Sequence, residues 1–368
     1  MLPIELPSFC KKLDSEQPLG YKAVIKKKQS QVRWQILGLL FLISVVTYID
    51  RVNISVAGKE MMPALGLSNV QMGTVFSAFV LGYALFQIPG GWLGDWWGPR
   101  RVLTLALLWW SLFTILTAEA GNLFFSSFLG VLGSLILIRL LIGIGEAAAL
   151  PNFNRTVANW LAPSERGLGM GISIGGIGLG SAITPPLVAW LMIHHGWKAA
   201  FYVTGGIGVF VAAVWYFFSR DDPHQHPWVS AWELSWIKQK PEKSQYDFSS
   251  KYPFAELLKL PSVWFLTLSY TMLGYVAYIY LSWFFLYLVN IRHFTVLEGS
   301  FFASGPFIAM AIFCPLGGWM TDTLTKRYGH RRGRTGVGCA GMLLTSMLIY
   351  SGAIALVTFP PKTGPVES

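Results

Sequence analysis

The sequence predicts an all-α polytopic membrane protein, on three observations: an apolar bias, a series of apolar runs each long enough to cross a bilayer, and basic residues gathered on alternate connections. Of the 368 residues 53% are hydrophobic and 12% charged, and the mean hydropathy is +0.50. A soluble domain carries about 25% charged residues. Apolar runs fall near residues 34–58, 70–94, 101–119, 131–158, 167–193 and 198–218, then, after a polar stretch, near 261–290, 298–321 and 336–359. About 20 residues at 1.5 Å rise cross a hydrocarbon core of roughly 30 Å. These runs leave 22 lysines and arginines on the side of the N-terminal tail and 4 on the other, with Arg51 and Arg139 inside helices. By the positive-inside rule the tail is cytoplasmic. The net charge of +10 therefore sits beside membrane spans and does not read as a nucleic-acid surface.

The tail, 1–33, is polar and basic (Lys22, Lys26, Lys27, Lys28, Arg33) and lacks the apolar core of a signal peptide. Residues 34–218 then form a six-helix unit, 219–259 a cytoplasmic linker, and 260–368 three further helices. The first run, Trp34 to Gly58, carries Tyr48-Ile49-Asp50-Arg51-Val52-Asn53. A central intramembrane charge costs about 3 kcal/mol on insertion scales, so such residues face a protein cavity and are functional by default. Asp50 and Arg51 are sequence neighbours and point roughly 100° apart on a helix, so each needs its own polar company. Arg51 stays charged and suits a carboxylate; Asp50 can exchange a proton. A mutual polar pair that only fixes helix packing is the plainer alternative. In the fourth run Arg139 and Glu146 lie about two turns, or ~10 Å, apart on one face. That places a tunable carboxylate near mid-membrane, with a static helix–helix bridge as its alternative.

Helix five is rich in glycine (Gly171, Gly175, Gly176, Gly180), which reads as close packing, and Pro185 and Pro186 are expected to bend it. In the linker, Trp228, Trp232 and Trp236 at helical spacing suggest a short amphipathic helix on the inner membrane surface, or plain linker. The seventh run offers Tyr275, Tyr278 and Ser282 on one face with Tyr280 nearby, either packing or cavity lining. Cys10, Cys314 and Cys339 show no metal spacing. No nucleophile–histidine arrangement, metal cluster or phosphate loop supports an enzyme, and no cofactor is expected.

Gly90-Gly91-Trp92-Leu93-Gly94-Asp95-Trp96-Trp97-Gly98-Pro99-Arg100-Arg101 ends the second run. Gly317-Gly318-Trp319-Met320-Thr321-Asp322 ends the eighth and leads to Arg331 and Arg332. Two parallel six-helix halves give such a repeat, the layout of the major facilitator fold. The first stretch resembles that superfamily's loop signature. The resemblance implies a gating role for Gly91, Asp95, Gly98, Arg100, Arg101, Asp322 and Arg331, a charge cluster that joins the two halves on the inner side.

Together with Arg139–Glu146 and Trp160–Gly167, Tyr48–Asn53 and this loop resemble the anion:cation symporters, which include sugar-acid, hexuronate and aromatic-acid permeases. The resemblance implies a secondary transporter in a cell inner membrane, working as a monomer that carries a small organic anion with H+. Sodium as the coupling ion stays open, as does exchange in place of symport. It implies that Arg51 binds the substrate carboxylate and that Tyr83 hydrogen-bonds the substrate. It further implies that Asp50 and Glu146 take up protons and that Arg139 couples to Glu146; Tyr278 or Tyr280 is the cavity-lining candidate from the spacing in the seventh run, with packing as the alternative. Nine runs against the family's twelve imply that the last three helices are lacking, through truncation or degeneration. The alternative function is a relative of the same fold that binds without transporting.

Overall fold

The computed structural model describes residues 30–122, 124, 126–163, 165–238, 256 and 258–358. The helices are α1 (Val32–Ala64), α2 (Asn69–Trp97), α3 (Pro99–Thr117), α4 (Ser126–Ala147), α5 (Ala149–Trp160), α6 (Arg166–His195) and α7 (Trp197–Phe218). They continue with α8 (Ala231–Ile237), α9 (Pro261–Asn290), α10 (Val296–Tyr328) and α11 (His330–Thr358). No strand occurs among the described residues. Among the described residues eight helices are long and apolar enough to cross a membrane, α4 and α5 counting as one. The ninth expected run, within α11, has only a shorter apolar stretch, Thr335–Ser351. Its start is rich in arginine and glycine.

Local chemistry sets the helix ends. Ser68 caps α2 in a capping box: its hydroxyl accepts from the Gln71 amide, and the Gln71 side chain accepts from the Ser68 amide. Gly98 turns the chain between α2 and α3 with φ of 85°, and a Cβ there would stand 2.5 Å from a carboxylate oxygen of Asp221. Only glycine fits both demands. Pro99 follows at the start of α3, where its missing N–H costs nothing. The fourth span was expected as one helix over 131–158. It instead breaks at Ala148, two residues after Glu146. Pro151 explains the break, because it cannot donate to the carbonyl four residues back.

Backbones meet closely where glycines face each other. A Cβ on Gly82 would lie 2.4 Å from the Leu140 carbonyl oxygen, and one on Gly143 would lie 2.2 Å from that of Phe79, so α2 and α4 touch main chain to main chain. Two of the four glycines singled out in α6 act as expected: Gly176 and Gly180 abut the Phe41 and Val45 carbonyls of α1, whereas a Cβ on Gly171 or Gly175 would meet nothing within 4 Å.

The later helices meet the earlier ones at the end remote from the N-terminal tail. Phe76 packs edge-on to Trp283 at 5.2 Å, the Lys59 ammonium donates to Asn290 at 2.9 Å, and Ser304 donates to the Ala182 carbonyl at 2.7 Å. Towards the tail side, Trp264, Phe265, Leu268 and Tyr270 of α9 are exposed.

The linker helix α8 is pinned to this bundle. Glu233 is fully buried and accepts from the amides of Val32 (3.2 Å) and Arg33 (3.0 Å) and from the Ser30 hydroxyl. It thereby caps α1, whose own N-cap residue, Gln31, makes no such bond. Arg33 bridges to Glu233 and to Glu165, and the Trp236 indole donates to Glu165 at 3.0 Å. Trp232 and Trp236 stack on each other, while Trp228 packs on Phe218.

Candidate functional site

The side chains singled out in the first and fourth spans converge in the middle of the molecule. Arg51 donates to one carboxylate oxygen of Glu146 through Nη2 at 2.7 Å and Nε at 3.1 Å, and to the Tyr48 hydroxyl through Nη1 at 3.2 Å. Its guanidinium sits among three rings, 4.6 Å from Tyr48, 4.9 Å from Phe79 and 4.7 Å from Tyr83. Delocalised charge over ring faces is favourable and is worth more when water is excluded. The side chain of Arg51 is 7% exposed and that of Glu146 is fully buried.

This geometry corrects the expected pairing of Arg139 with Glu146. The two lie along one helix, yet Glu146 reaches across to α1 and bonds Arg51. Arg139 is buried and within electrostatic reach of Glu146 and Asp50, but its Nε has no hydrogen-bond partner among the described residues. Asp50 is buried at 1% exposure and points away from the Arg51 guanidinium, towards Thr204 and Trp110.

A cavity lies where α1, α2, α4 and α9 meet, lined by Arg51, Ser55, Phe79, Arg139, Tyr278 and Ser282 among others. About 20 Å3 of it is open, roughly room for one water, because the Arg51–Glu146 pair fills the centre. Tyr278 thus faces the arginines from the other half. Tyr280 lines a neighbouring pocket with Tyr48, Ser181 and Phe307. Tyr275 is exposed. Tyr83 meets Arg51 through its ring face. Tyr48 and Phe79 were not assigned roles from the sequence. The signal was present: Tyr48 lies three residues before Arg51, and Phe79 four before Tyr83, each pair on one helix face.

The loop residues named for gating make the following contacts. Asp95 pairs with Arg155 at 3.5 Å, both well exposed. Arg100 donates its amide to Asp221 at 2.7 Å and its guanidinium to the Tyr216 carbonyl at 2.7 and 2.9 Å, and stacks on the Tyr216 ring. These partners all lie before the linker helix, so the contacts brace the first bundle and do not join the two halves. A Cβ on Gly91 would press on Pro151 at 3.2 Å, so this glycine serves packing of α2 on α5. Arg101 is exposed. The side chains of Asp322 and Arg331 lie outside the described residues. No group of three or more histidine, cysteine, aspartate or glutamate side chains suited to a metal occurs among the described residues.

A bundle of apolar spans, a glycine-rich repeat and a buried charge cluster between two helix groups agree with what comparison with known proteins finds. The Major Facilitator Superfamily model matches residues 40–360. The chain belongs to the Major Facilitator Superfamily. A probable sulfoacetate transporter of Cupriavidus necator is 35% identical over 86% of this chain and 72% of its own length. A probable galactarate/D-glucarate transporter of Bacillus subtilis is 35% identical, covering 82% of this chain and 67% of its own length. The hexuronate transporter of Bacillus subtilis is 30% identical over 89% and 72%. These are relatives of the anion:cation symporter type to which the motifs pointed, and they are transporters, not enzymes. Among solved structures, an inward-facing bacterial homologue of the lysosomal transporter Spinster superimposes with a TM-score of 0.64 at 22% identity, over 82% of this chain and 65% of that one. A D-xylose–proton symporter gives 0.55 at 13%. Both show the shared fold. The chain spans about two thirds of the length of the proteins it matches.

Proposed function

We propose that this protein is a secondary active carrier of a small organic acid anion, taken up with protons by alternating access across a cell inner membrane. Its basic tail faces the cytoplasm. The observation that carries the proposal is the Arg51–Glu146 ion pair (2.7 Å) at the centre of a cavity between the two helix groups. Arg51 offers a rigid fork of donors suited to a carboxylate, and in this conformation Glu146 occupies it. A substrate carboxylate and the Glu146 carboxylate compete for one guanidinium, so protonation of Glu146 frees Arg51 for the anion.

Charge balance fixes the rest of the cycle. Arg51, Arg139, Asp50 and Glu146 sum to zero when all are ionised, and all are buried or nearly so. Each negative charge on a bound anion leaves an excess, and an occluded net charge is costly. One proton per substrate charge, on Glu146 or Asp50, restores neutrality before reorientation. The named relatives carry a carboxylate with hydroxyl or sulfonate groups. The hydroxyls of Tyr48, Tyr83, Tyr278 and Ser282 offer matching donors and acceptors.

The decisive experiment is Glu146→Gln, which holds this position neutral, assayed by counterflow and by pH-driven uptake in the same proteoliposomes. Counterflow is expected to persist while accumulation against a gradient is lost. Retained pH-driven accumulation would remove Glu146 from the proton path, and loss of both activities would assign it a purely structural bridge.

A further inference from the structure

Behind the Arg51–Glu146 pair lies a second polar cluster, several of whose buried atoms have no hydrogen-bond partner among the described residues. Neither carboxylate oxygen of Asp50 is hydrogen-bonded, nor are Asn53 Oδ1, Trp110 Nε1, Ser111 Oγ and Thr114 Oγ1, and all are buried. They belong together. Asp50 and Asn53 are one turn apart on α1; Trp110, Ser111 and Thr114 share a face of α3; and Thr204 of α7 faces both, accepting from Asn53 Nδ2 at 3.0 Å. Thr204 and Trp110 confront the Asp50 carboxylate without hydrogen-bond geometry. Two glycines of α7 let α3 approach closely: a Cβ on Gly208 would stand 2.0 Å from the Ser111 hydroxyl, and one on Gly205 would stand 2.9 Å from the Ser111 carbonyl, which brings Ser111 up against α7.

Buried polar groups in native proteins are almost always satisfied, by protein or by ordered water. Apolar side chains would fill this space at no such penalty, so a run of orphaned donors and acceptors around one carboxylate calls for an occupant. We propose that this compartment holds ordered water that hydrates Asp50, and that Thr204 and Trp110 are positioning residues that set the acidity of Asp50. The inference rests on the proton-coupled reading above. Water fits better than a cation. The compartment contributes one carboxylate, its indole N–H is a donor that repels a cation, and Arg139 and Arg51 add positive charge from the other side, with Glu146 beside them.

Donors and water stabilise the ionised carboxylate over the neutral acid. Removing them shifts the balance to the protonated form, so the midpoint of proton uptake moves to higher pH. The test is infrared difference spectroscopy of the reconstituted protein, with the Asp50 carboxyl band identified by its loss in Asp50→Asn. The band's titration midpoint is expected to rise by about one pH unit, a tenfold change in proton concentration, in Thr204→Val and in Trp110→Phe. Thr204→Ser restores it. Unmoved midpoints in both variants would overturn the proposal, as would no rescue by serine. Failure of the parent reading looks different: Asp50→Asn would then keep pH-driven accumulation whatever the band in the other variants does.

Discussion

Replacing Arg51 by lysine keeps the charge and removes the fork. In the structure the guanidinium makes two bonds to one carboxylate oxygen and a third to Tyr48, while its plane lies among three rings. A lysine ammonium retains cation–π attraction but engages a carboxylate as a point charge. The loss is then about one charge-assisted hydrogen bond, roughly 1.5–3 kcal/mol. At 1.4 kcal/mol per decade this weakens binding about 10- to 150-fold. The assay is calorimetric titration of the purified protein with sulfoacetate, glucarate and glucuronate at one ionic strength. Whichever acid binds the wild type is expected to bind Arg51→Lys more weakly by that factor. Wild-type affinity in the lysine variant would show that bidentate contact with Arg51 plays no part in recognition.

Two other outcomes follow from the packing and the charge pattern. Gly143→Ala puts a Cβ 2.2 Å from the Phe79 carbonyl, where main chain cannot yield cheaply. It should cost about 1–3 kcal/mol and lower the melting temperature in detergent, and an unchanged melting curve would contradict the main-chain contact of α2 with α4. Cysteines placed at Lys27 and Lys240 should resist an impermeant maleimide added to intact cells and react after permeabilisation; ready labelling from outside would invert the topology.

Helix positions were legible in the sequence because length, apolarity and turn chemistry coincide there. Ser68, Gly98-Pro99 and Gly196 stop or start helices by local geometry, and the 22-to-4 asymmetry of basic residues is a property of composition alone. The break at Ala148 was missed although Pro151 announces it, because the apolar run continues unbroken on both sides. Candidate charges in the membrane were legible for the same reason that they are costly. Their pairing was not: one-helix spacing favours Arg139 for Glu146, whereas the assembled helices set Arg51 of α1 within hydrogen-bond reach of Glu146. The polar compartment around Asp50 was also hidden, since Trp110, Ser111 and Thr204 read as ordinary residues of apolar helices until three helices are assembled.

The cap that Glu233 places on α1 has a consequence for how the chain is made. The first amides of α1 emerge from the ribosome about 200 residues before the carboxylate that satisfies them, a delay of roughly 10–40 seconds at about 5–20 residues per second. Through that interval the start of α1, with Arg33, must rely on water and headgroups, and five further apolar stretches enter the bilayer. Insertion and completion are therefore separate events in time. The inner end of the first bundle closes only when the linker arrives to act as its clasp.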